Sequence, residues 1–373
     1  MATDHSLKKY IDGAAARRLG TSIRAVRPDF DVDSYVAEVD RRVGPLELKD
    51  RVLVMSQGLR DRLPEHYPDA VAVLVAALED PLGEDDGMFN DGFHLMAVAR
   101  FVEEYGLDHP EASLPALVEI TRRHTGEFAV RPFVQRHYAP TMALMRACAV
   151  DPDANVRRFA SEGIRPRLPW ARRLPAFVVD PAPVLEVLEY LRSDPSKYVR
   201  TSVANNLNDI ARAHPDLVLD LAERWTRESP TPETAWTLRH GLRTLIKEGD
   251  QRALALVGAT GGEHVLAHGL TLSPRALDLG GTLLVRVELE NVDTRPHTVV
   301  IDYAVHHVRA DGSRGRKVFK WTRVELCAGE RRLLEKKHPV RPISTRTYHP
   351  GDHLVEVQVN GLIKASAAFD LRV

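Results

Sequence analysis

Glu162 and Asp209 are the residues whose types and spacing could do chemistry. Two carboxylates aimed the same way can stabilise a developing positive charge and orient a water molecule. Helical arithmetic predicts that placement. At about 100° per residue, Val199, Val203, Leu207 and Ile210 fall in one narrow stripe, while Ser202, Asn205, Asn206 and Asp209 share another face. Val156, Ala160 and Ile164 make the corresponding stripe 43 residues earlier. Glu162 then lies on the side equivalent to Asn205, flanked by Arg158 and Arg165. The spacing thus puts two acids on equivalent faces of neighbouring helices, with arginines close by. Their company favours a site, because Ser202 and Asn206 accompany Asp209 and the run Arg165 to Trp170 follows Glu162 directly. The alternative is ordinary: each acid is a surface salt bridge of small energetic worth. Trp170 follows Pro166 and Pro169, so a stiff turn presents it, or it packs between repeats.

The elements that must hold these side chains repeat. Asp151-Pro152 followed by Val156-Arg157 aligns with Asp194-Pro195 followed by Val199-Arg200, 43 residues apart. A period in the forties with this pattern resembles a HEAT repeat, whose helix pairs stack into a curved solenoid with a concave surface. Each aspartate is expected to cap its helix and each proline to fit the first turn. Apolar residues recur at helical spacing to about residue 257, as in Val52, Met55, Leu59 and Val71, Leu74, Leu78. Beyond about residue 270 the period becomes that of strands: Thr282 to Glu290, Thr298 to Val308, His353 to Val359 and Ala367 to Val373. Turn signals stand at Asp311-Gly312, Ala328-Gly329, Pro350-Gly351 and Asn360-Gly361. The expected fold is therefore mainly α, a HEAT-like helical-repeat solenoid over 1–262, then a small all-β immunoglobulin-like sandwich over 268–373. The glycine-rich stretch Gly258 to Glu263 is the expected junction.

Composition excludes several classes. The chain has 373 residues, enough for two domains, and its 44% hydrophobic and 28% charged content excludes a disordered or collagen-like chain. The longest uncharged apolar run, Ala70 to Leu78, is too short to cross a bilayer, and Met1 to Ile11 carries charges without an apolar core, so neither membrane partner nor signal peptide is expected. Two cysteines, Cys148 and Cys327, fit a reducing cytoplasm. Near-neutral overall charge hides a pattern: residues 1–120 carry 13 basic and 23 acidic side chains, residues 121–173 carry 11 and 4, and residues 265–373 carry 17 and 12. A concentrated basic middle can bind a polyanion. No phosphate loop, nucleophile elbow or dinucleotide fingerprint occurs, so no cofactor is expected. His264 and His268 lie near the domain junction without a matching carboxylate pattern, and His306 and His307 face opposite sides of a strand, so no metal site is expected. Cys148 reads as core.

Three stretches together resemble the AlkC family of DNA alkylation-repair glycosylases: Thr125 to Phe133, with Glu127 and Arg131; Val156 to Trp170, with Glu-Gly-x-Arg-Pro-Arg-Leu-Pro-Trp; and Ser202 to Ile210. Trp236 to Lys247 looks like the family's next repeat, and some members carry a C-terminal immunoglobulin-like domain. The resemblance implies removal of cationic alkylated bases from duplex DNA: 3-methyladenine, 3-methylcytosine and, in some members, 1-methyladenine. It implies functional roles for Glu127, Glu162, Trp170 and Asp209. Asp209 would orient water at the sugar, Glu127 and Glu162 would add negative potential, and Trp170 would offer its π face. With no lysine in the acid cluster, a monofunctional enzyme is expected, processing a lesion only partly displaced from the duplex. Expected DNA contacts are Arg131, Arg158, Arg165, Arg167, Arg200, Arg239 and Lys247, with Asn206, Trp236 and His240, and with Arg316 and Lys317 in the sandwich. Arg158 could instead enter the groove. No obligate protein partner is inferred, and DNA would place the protein at the nucleoid. Two competing readings are a non-enzymatic HEAT scaffold for a protein partner and an AlkD-like glycosylase limited to 3-methyladenine and 7-methylguanine.

Overall fold

In the computed structural model, residues 7–81, 91–343 and 346–373 are described. Among the described residues, sixteen α-helices, from Gly13–Val26 to Gln251–Leu256, precede eight strands. None of the described helices is long and apolar enough to cross a membrane. The chain forms two units: residues 1–213 with 231–237, and residues 214–230 with 238–373.

In the first unit the predicted stripe is core: Val199, Val203 and Leu207 are fully buried. Ser202, Asn206 and Asp209 are buried too, because the helix Lys197–Ala211 turns that second face onto the helix Ala154–Glu162. The seam is polar. The Ser202 hydroxyl lies 2.9 Å from that of Ser161, and Asn206 Nδ2 donates to the Ser161 carbonyl at 3.0 Å. The repeat's Asp-Pro pairs are not helix caps, as expected, but the turns before them. Asp151 accepts from the Asp153 amide and Asp194 from the Ser196 amide, both at 2.8 Å, and each helix starts after that turn, at Ala154 and Lys197. An aspartate bonded to the amide two residues on stabilises a turn; Asp153 then caps its helix through the Asn155 amide, while Ser196 holds the equivalent position without a side-chain bond. The arginine of each copy closes the same motif. Arg157 Nη1 donates to the carbonyls of Asp151 and Pro152, and Arg200 Nη1 to those of Asp194 and Pro195. Arg157 also reaches Asp194 at 2.7 Å, joining one copy to the next. Cys148 is core, as expected.

The second unit holds the helices Pro215–Glu228, Arg243–Glu248 and Gln251–Leu256 together with the strands. Strands β1 (Val265–Ser273), β3 (Thr282–Asn291) and β6 (Arg331–Pro339) form one sheet, in the order β1-β3-β6. Strands β2 (Ala276–Asp278), β4 (His297–Val308), β5 (Arg314–Leu326), β7 (Gly351–Val359) and β8 (Leu362–Arg372) form the other, in the order β2-β8-β7-β4-β5. Val285, Val287, Ile301, Val305, Val355 and Val357 fill the core between them. The predicted strands correspond to β3, β4, β7 and β8, the last starting five residues earlier than expected, whereas β5 and β6 are masked by outward Arg, Lys and Glu and β2 is only three residues long. Gly361, at φ 76°, sits where a Cβ would lie 2.1 Å from the Gly249 Cα, so the turn after Arg243–Glu248 meets the β7–β8 turn backbone to backbone.

His306 and His307 do face opposite ways. His306 Nε2 lies 3.0 Å from Glu356, while His307 is buried beside His353 and Tyr348. Burial, with Arg346 next, pulls the His307 imidazole down to about 3 and that of His338 to about 4. Both are then neutral in the folded sandwich. An unfolded histidine titrates near 6.5, so below that pH the unfolded chain binds more protons, and stability falls as pH drops from about 6.5 toward 4. Urea midpoints measured between pH 7.5 and 4.5 should show this decline, and His307→Gln should flatten it. A wild-type midpoint independent of pH in that window would contradict the neutral burial.

Candidate active site

The acids predicted to face one way form a chain of alternating charge in the first unit. Glu127 lies in the turn after the helix Pro110–Thr121, Arg158 and Glu162 on Ala154–Glu162, Arg165 just beyond it, and Asp209 on Lys197–Ala211. Arg158 Nη1 donates to Glu127 Oε2, and its Nη2 lies 3.7 Å from Glu162 Oε1. Arg165 Nη1 donates to Glu162 Oε1 at 2.6 Å, and its Nε to Asp209 Oδ2 at 2.9 Å. All five side chains are buried. These are not the exposed ion pairs of the ordinary reading. Each charge has left water, and each is answered by a neighbour, as buried charge requires.

The oxygens are used unequally. Glu162 is fully committed: Oε1 faces both arginines, and Oε2 accepts from the Ser202 hydroxyl at 2.5 Å. Glu127 Oε2 takes Thr125 Oγ1 at 2.7 Å and also Arg158. Among the described residues, Glu127 Oε1 and Asp209 Oδ1 accept no hydrogen bond. Burial pushes the Asp209 carboxyl up, and Arg165 opposes that only in part. Burial pulls the Arg158 and Arg165 guanidiniums down, but the acids more than reverse it, so both stay charged.

Four of the arginines expected at phosphates have partners within the protein. Arg158 and Arg165 are consumed by the acids, and the Arg158 guanidinium also lies 4.9 Å over the Tyr198 ring. Arg131 donates to the carbonyls of Gly163, Arg165 and Arg172 at 2.7–3.1 Å, so it holds the loop that carries Trp170. Burial lowers its guanidinium to about 10. Arg200 belongs to the repeat turn and lies 5.5 Å over the half-buried Trp236 ring. Asn206 likewise serves the helix seam. Arg167 is half-buried and has no ion pair among the described residues.

Trp170 stands apart from its packing alternative. Its side chain is 67% exposed, and its backbone is left-handed at φ 63°. A bulky residue adopts that conformation at a cost, and such outliers cluster at functional positions. The Trp170 carbonyl accepts from Lys49 Nζ, a contact that sequence reasoning missed because 121 residues separate the two. Thr125 and Tyr198, which flank the acids, were missed for the same lack of local signal.

In the second unit Arg239, Lys247, Arg316 and Lys317 are exposed, as a DNA contact requires, and His240 is half-buried and held neutral by burial and nearby cations. Arg316 and Lys317 line a surface pocket with Arg309, Arg346 and His349. Beside its sequence neighbour Glu263, His264 is approached by Asp293 from the β3–β4 connection, which also meets His297. His268 instead meets Glu290 at 2.8 Å.

The fold and this buried acid–arginine chain define a helical-repeat protein with an immunoglobulin-like C-terminal domain. Residues 267–373 match the family described as "Uncharacterised protein YhaZ, C-terminal Ig-like domain". The whole chain is 36% identical over 366 residues to the uncharacterised protein YhaZ of Bacillus subtilis (strain 168), covering 98% of this chain and 99% of that one. It superimposes with a TM-score of 0.90, at 36% identity, on the alkylpurine DNA glycosylase AlkC of Pseudomonas fluorescens bound to DNA containing an abasic site analogue, covering 99% and 100% of the two chains. The chain belongs to the AlkC family.

Proposed function

We propose that the chain is a monofunctional DNA glycosylase that hydrolyses the N-glycosidic bond of cationic alkylated bases in duplex DNA, with residues 1–262 as the glycosylase domain and 268–373 as an accessory domain. The reading rests on full-length similarity to an alkylpurine DNA glycosylase. The observation that carries it is Asp209, a buried carboxylate with one oxygen tied to Arg165 and the other unbonded. A base alkylated at N3 already bears positive charge, so it leaves with the bonding pair and needs no strong acid. What remains is an oxocarbenium-like sugar and a water molecule. Asp209 Oδ1 orients that water and takes its proton as oxygen adds to C1′, a role favoured by the raised pKa. Glu127 contributes its free oxygen and negative potential. Glu162, with both oxygens committed, positions Arg158 and Arg165. The exposed indole of Trp170 meets the cationic base or the sugar, worth about 0.5–2 kcal/mol if desolvated. No lysine joins the acid chain, so no Schiff base forms. Arg167, Arg239, Lys247, Arg316 and Lys317 supply phosphate contacts. The proposed substrates are 3-methyladenine, 3-methylcytosine and 1-methyladenine, attacked without full extrusion of the base.

The test is base release from duplexes carrying one lesion each, followed as alkali-labile abasic sites. Release of 3-methylcytosine and 3-methyladenine supports the reading. Release of 3-methyladenine and 7-methylguanine alone would move the assignment to the narrower, AlkD-like class. No release and no salt-sensitive DNA binding would replace it with a protein scaffold.

A further inference from the structure

Away from the acid chain, two histidines and an aspartate meet at the edge of the sandwich. His264 ends the short 3-10 turn Gly262–His264, Asp293 lies in the β3–β4 connection, and His297 opens β4. One ligand atom from each lies within 4.8 Å of the others. His297 Nε2 is 2.7 Å from Asp293 Oδ2, and His264 Nε2 is 3.9 Å from the same oxygen. The two imidazoles stack at 5.5 Å with 16° between their planes, so both present Nε2 to one carboxylate. We propose that His264, Asp293 and His297 bind a divalent transition-metal ion, with Zn²⁺ the best match to this donor set.

A hydrogen bond explains only part of the cluster. At 2.7 Å, His297 and Asp293 are hydrogen-bonded. At 3.9 Å, His264 Nε2 is beyond hydrogen-bond reach of the same oxygen, which leaves its place in the cluster unexplained by that bond. Tetrahedral bonds of about 2.0–2.1 Å to nitrogen and oxygen put ligand atoms about 3.3 Å apart. The two distances to Asp293 Oδ2 bracket that value, and all three ligand atoms lie within 4.8 Å of one another. Glu263 Oε1, 3.5 Å from His264 Nε2, is within reach of the fourth position. Arg295, whose side chain is 74% exposed, lies 3.5 Å from Asp293 Oδ2 and is free to swing into solvent as a cation enters. Two imidazoles and one carboxylate suit zinc, cobalt or nickel and disfavour magnesium and calcium, which take oxygen ligands.

The surroundings hold these ligands in place. Gly261 is left-handed at φ 69°, and a Cβ there would lie 2.2 Å from His297 Nδ1, so the glycine makes room for the ring. His297 is 7% exposed. Buried Asn291 fixes the Asp293 connection: its Nδ2 faces the carbonyls of Arg295, Leu326 and Cys327, and its Oδ1 accepts from the Asp293 amide. The Val292 amide donates to the His264 carbonyl at 2.9 Å, which ties the two segments together. A metal here would clamp the segment entering β1 to the β3–β4 connection.

The experiment uses the full chain, stripped with chelator and titrated with zinc chloride. One Zn²⁺ per chain is expected by calorimetry, with a melting temperature that rises with zinc concentration. Co²⁺ should give the absorption bands of a tetrahedral site. His264→Ala and Asp293→Asn should each weaken binding at least about tenfold, while leaving the metal-free melting temperature of His264→Ala, whose ring is half exposed, at the wild-type value. Absence of stoichiometric zinc, or zinc binding unchanged in both variants, would overturn the proposal. Base release is not needed for any of these readings.

Discussion

Asp209→Asn should lower the single-turnover rate of base release by about 10²–10³-fold, the loss typical when one preorganised electrostatic group is removed. Affinity for undamaged duplex should change little, because the substitution keeps the shape of a largely buried side chain that is not among the proposed phosphate contacts. The substitution keeps the shape and changes two things. The amide oxygen is the better partner for Arg165, so it turns to the guanidinium and leaves an NH₂ where Oδ1 stood. A proton acceptor becomes a donor, and water is no longer oriented for attack. The local negative potential that favours the sugar cation also falls. Because burial raises the Asp209 pKa, wild-type release should fall on the acid side as this carboxyl protonates, and that limb should be missing from the residual activity of Asp209→Asn. The assay is a duplex with a single 3-methylcytosine cleaved by alkali. Near-normal release by the variant would remove Asp209 from the mechanism.

Part of this site was readable before any coordinates. The stripe Val199, Val203, Leu207 and Ile210 is set by a period of 3.6 residues, and the same period puts Asp209 and Ser202 together. Periodicity reports which residues share a face. It does not report what the face meets. The Ser202–Asp209 face meets another helix, so residues read as surface became an interior network. Glu127 gave no periodic signal because it lies in a turn, and only family resemblance pointed to it. The arginines show the same limit. Arg131, Arg158, Arg165 and Arg200 raise the local charge count equally, yet their partners are a loop, two acid pairs and a repeat turn. Charge is legible in a sequence, but the partner is a tertiary fact. In the sandwich, β3, β4 and β7 alternate enough to be seen. β5 and β6 carry Arg, Lys and Glu on their outer positions and do not. The switch from helical to strand period marks where secondary structure changes, while packing draws the helices Pro215–Glu228, Arg243–Glu248 and Gln251–Leu256 into the unit that holds the strands.

The chain of charges makes Arg165 the residue whose loss should cost most stability. Arg165→Met keeps much of the volume and removes the only cation that, among the described residues, is hydrogen-bonded to Asp209. Glu162 would keep Arg158 at 3.7 Å and Ser202, but Asp209 would be a buried carboxylate with no ion-pair partner. Removing one member of a buried pair typically costs about 3–5 kcal/mol, because the remaining charge is stranded away from water. The urea midpoint should shift accordingly. The double variant Arg165→Met with Asp209→Asn should recover part of the loss, since no charge is then stranded at that end. A cycle of this kind isolates the coupling, which should be well above the few tenths seen for independent sites. Additive effects would mean that the two groups are separately solvated and the chain is a set of surface pairs. Catalysis gives a second readout. Arg165 holds the Asp209 pKa down against burial, so Arg165→Met should raise it further and move the acid limb of the rate profile to higher pH. A phosphate-binding arginine would instead weaken DNA affinity and leave that limb in place.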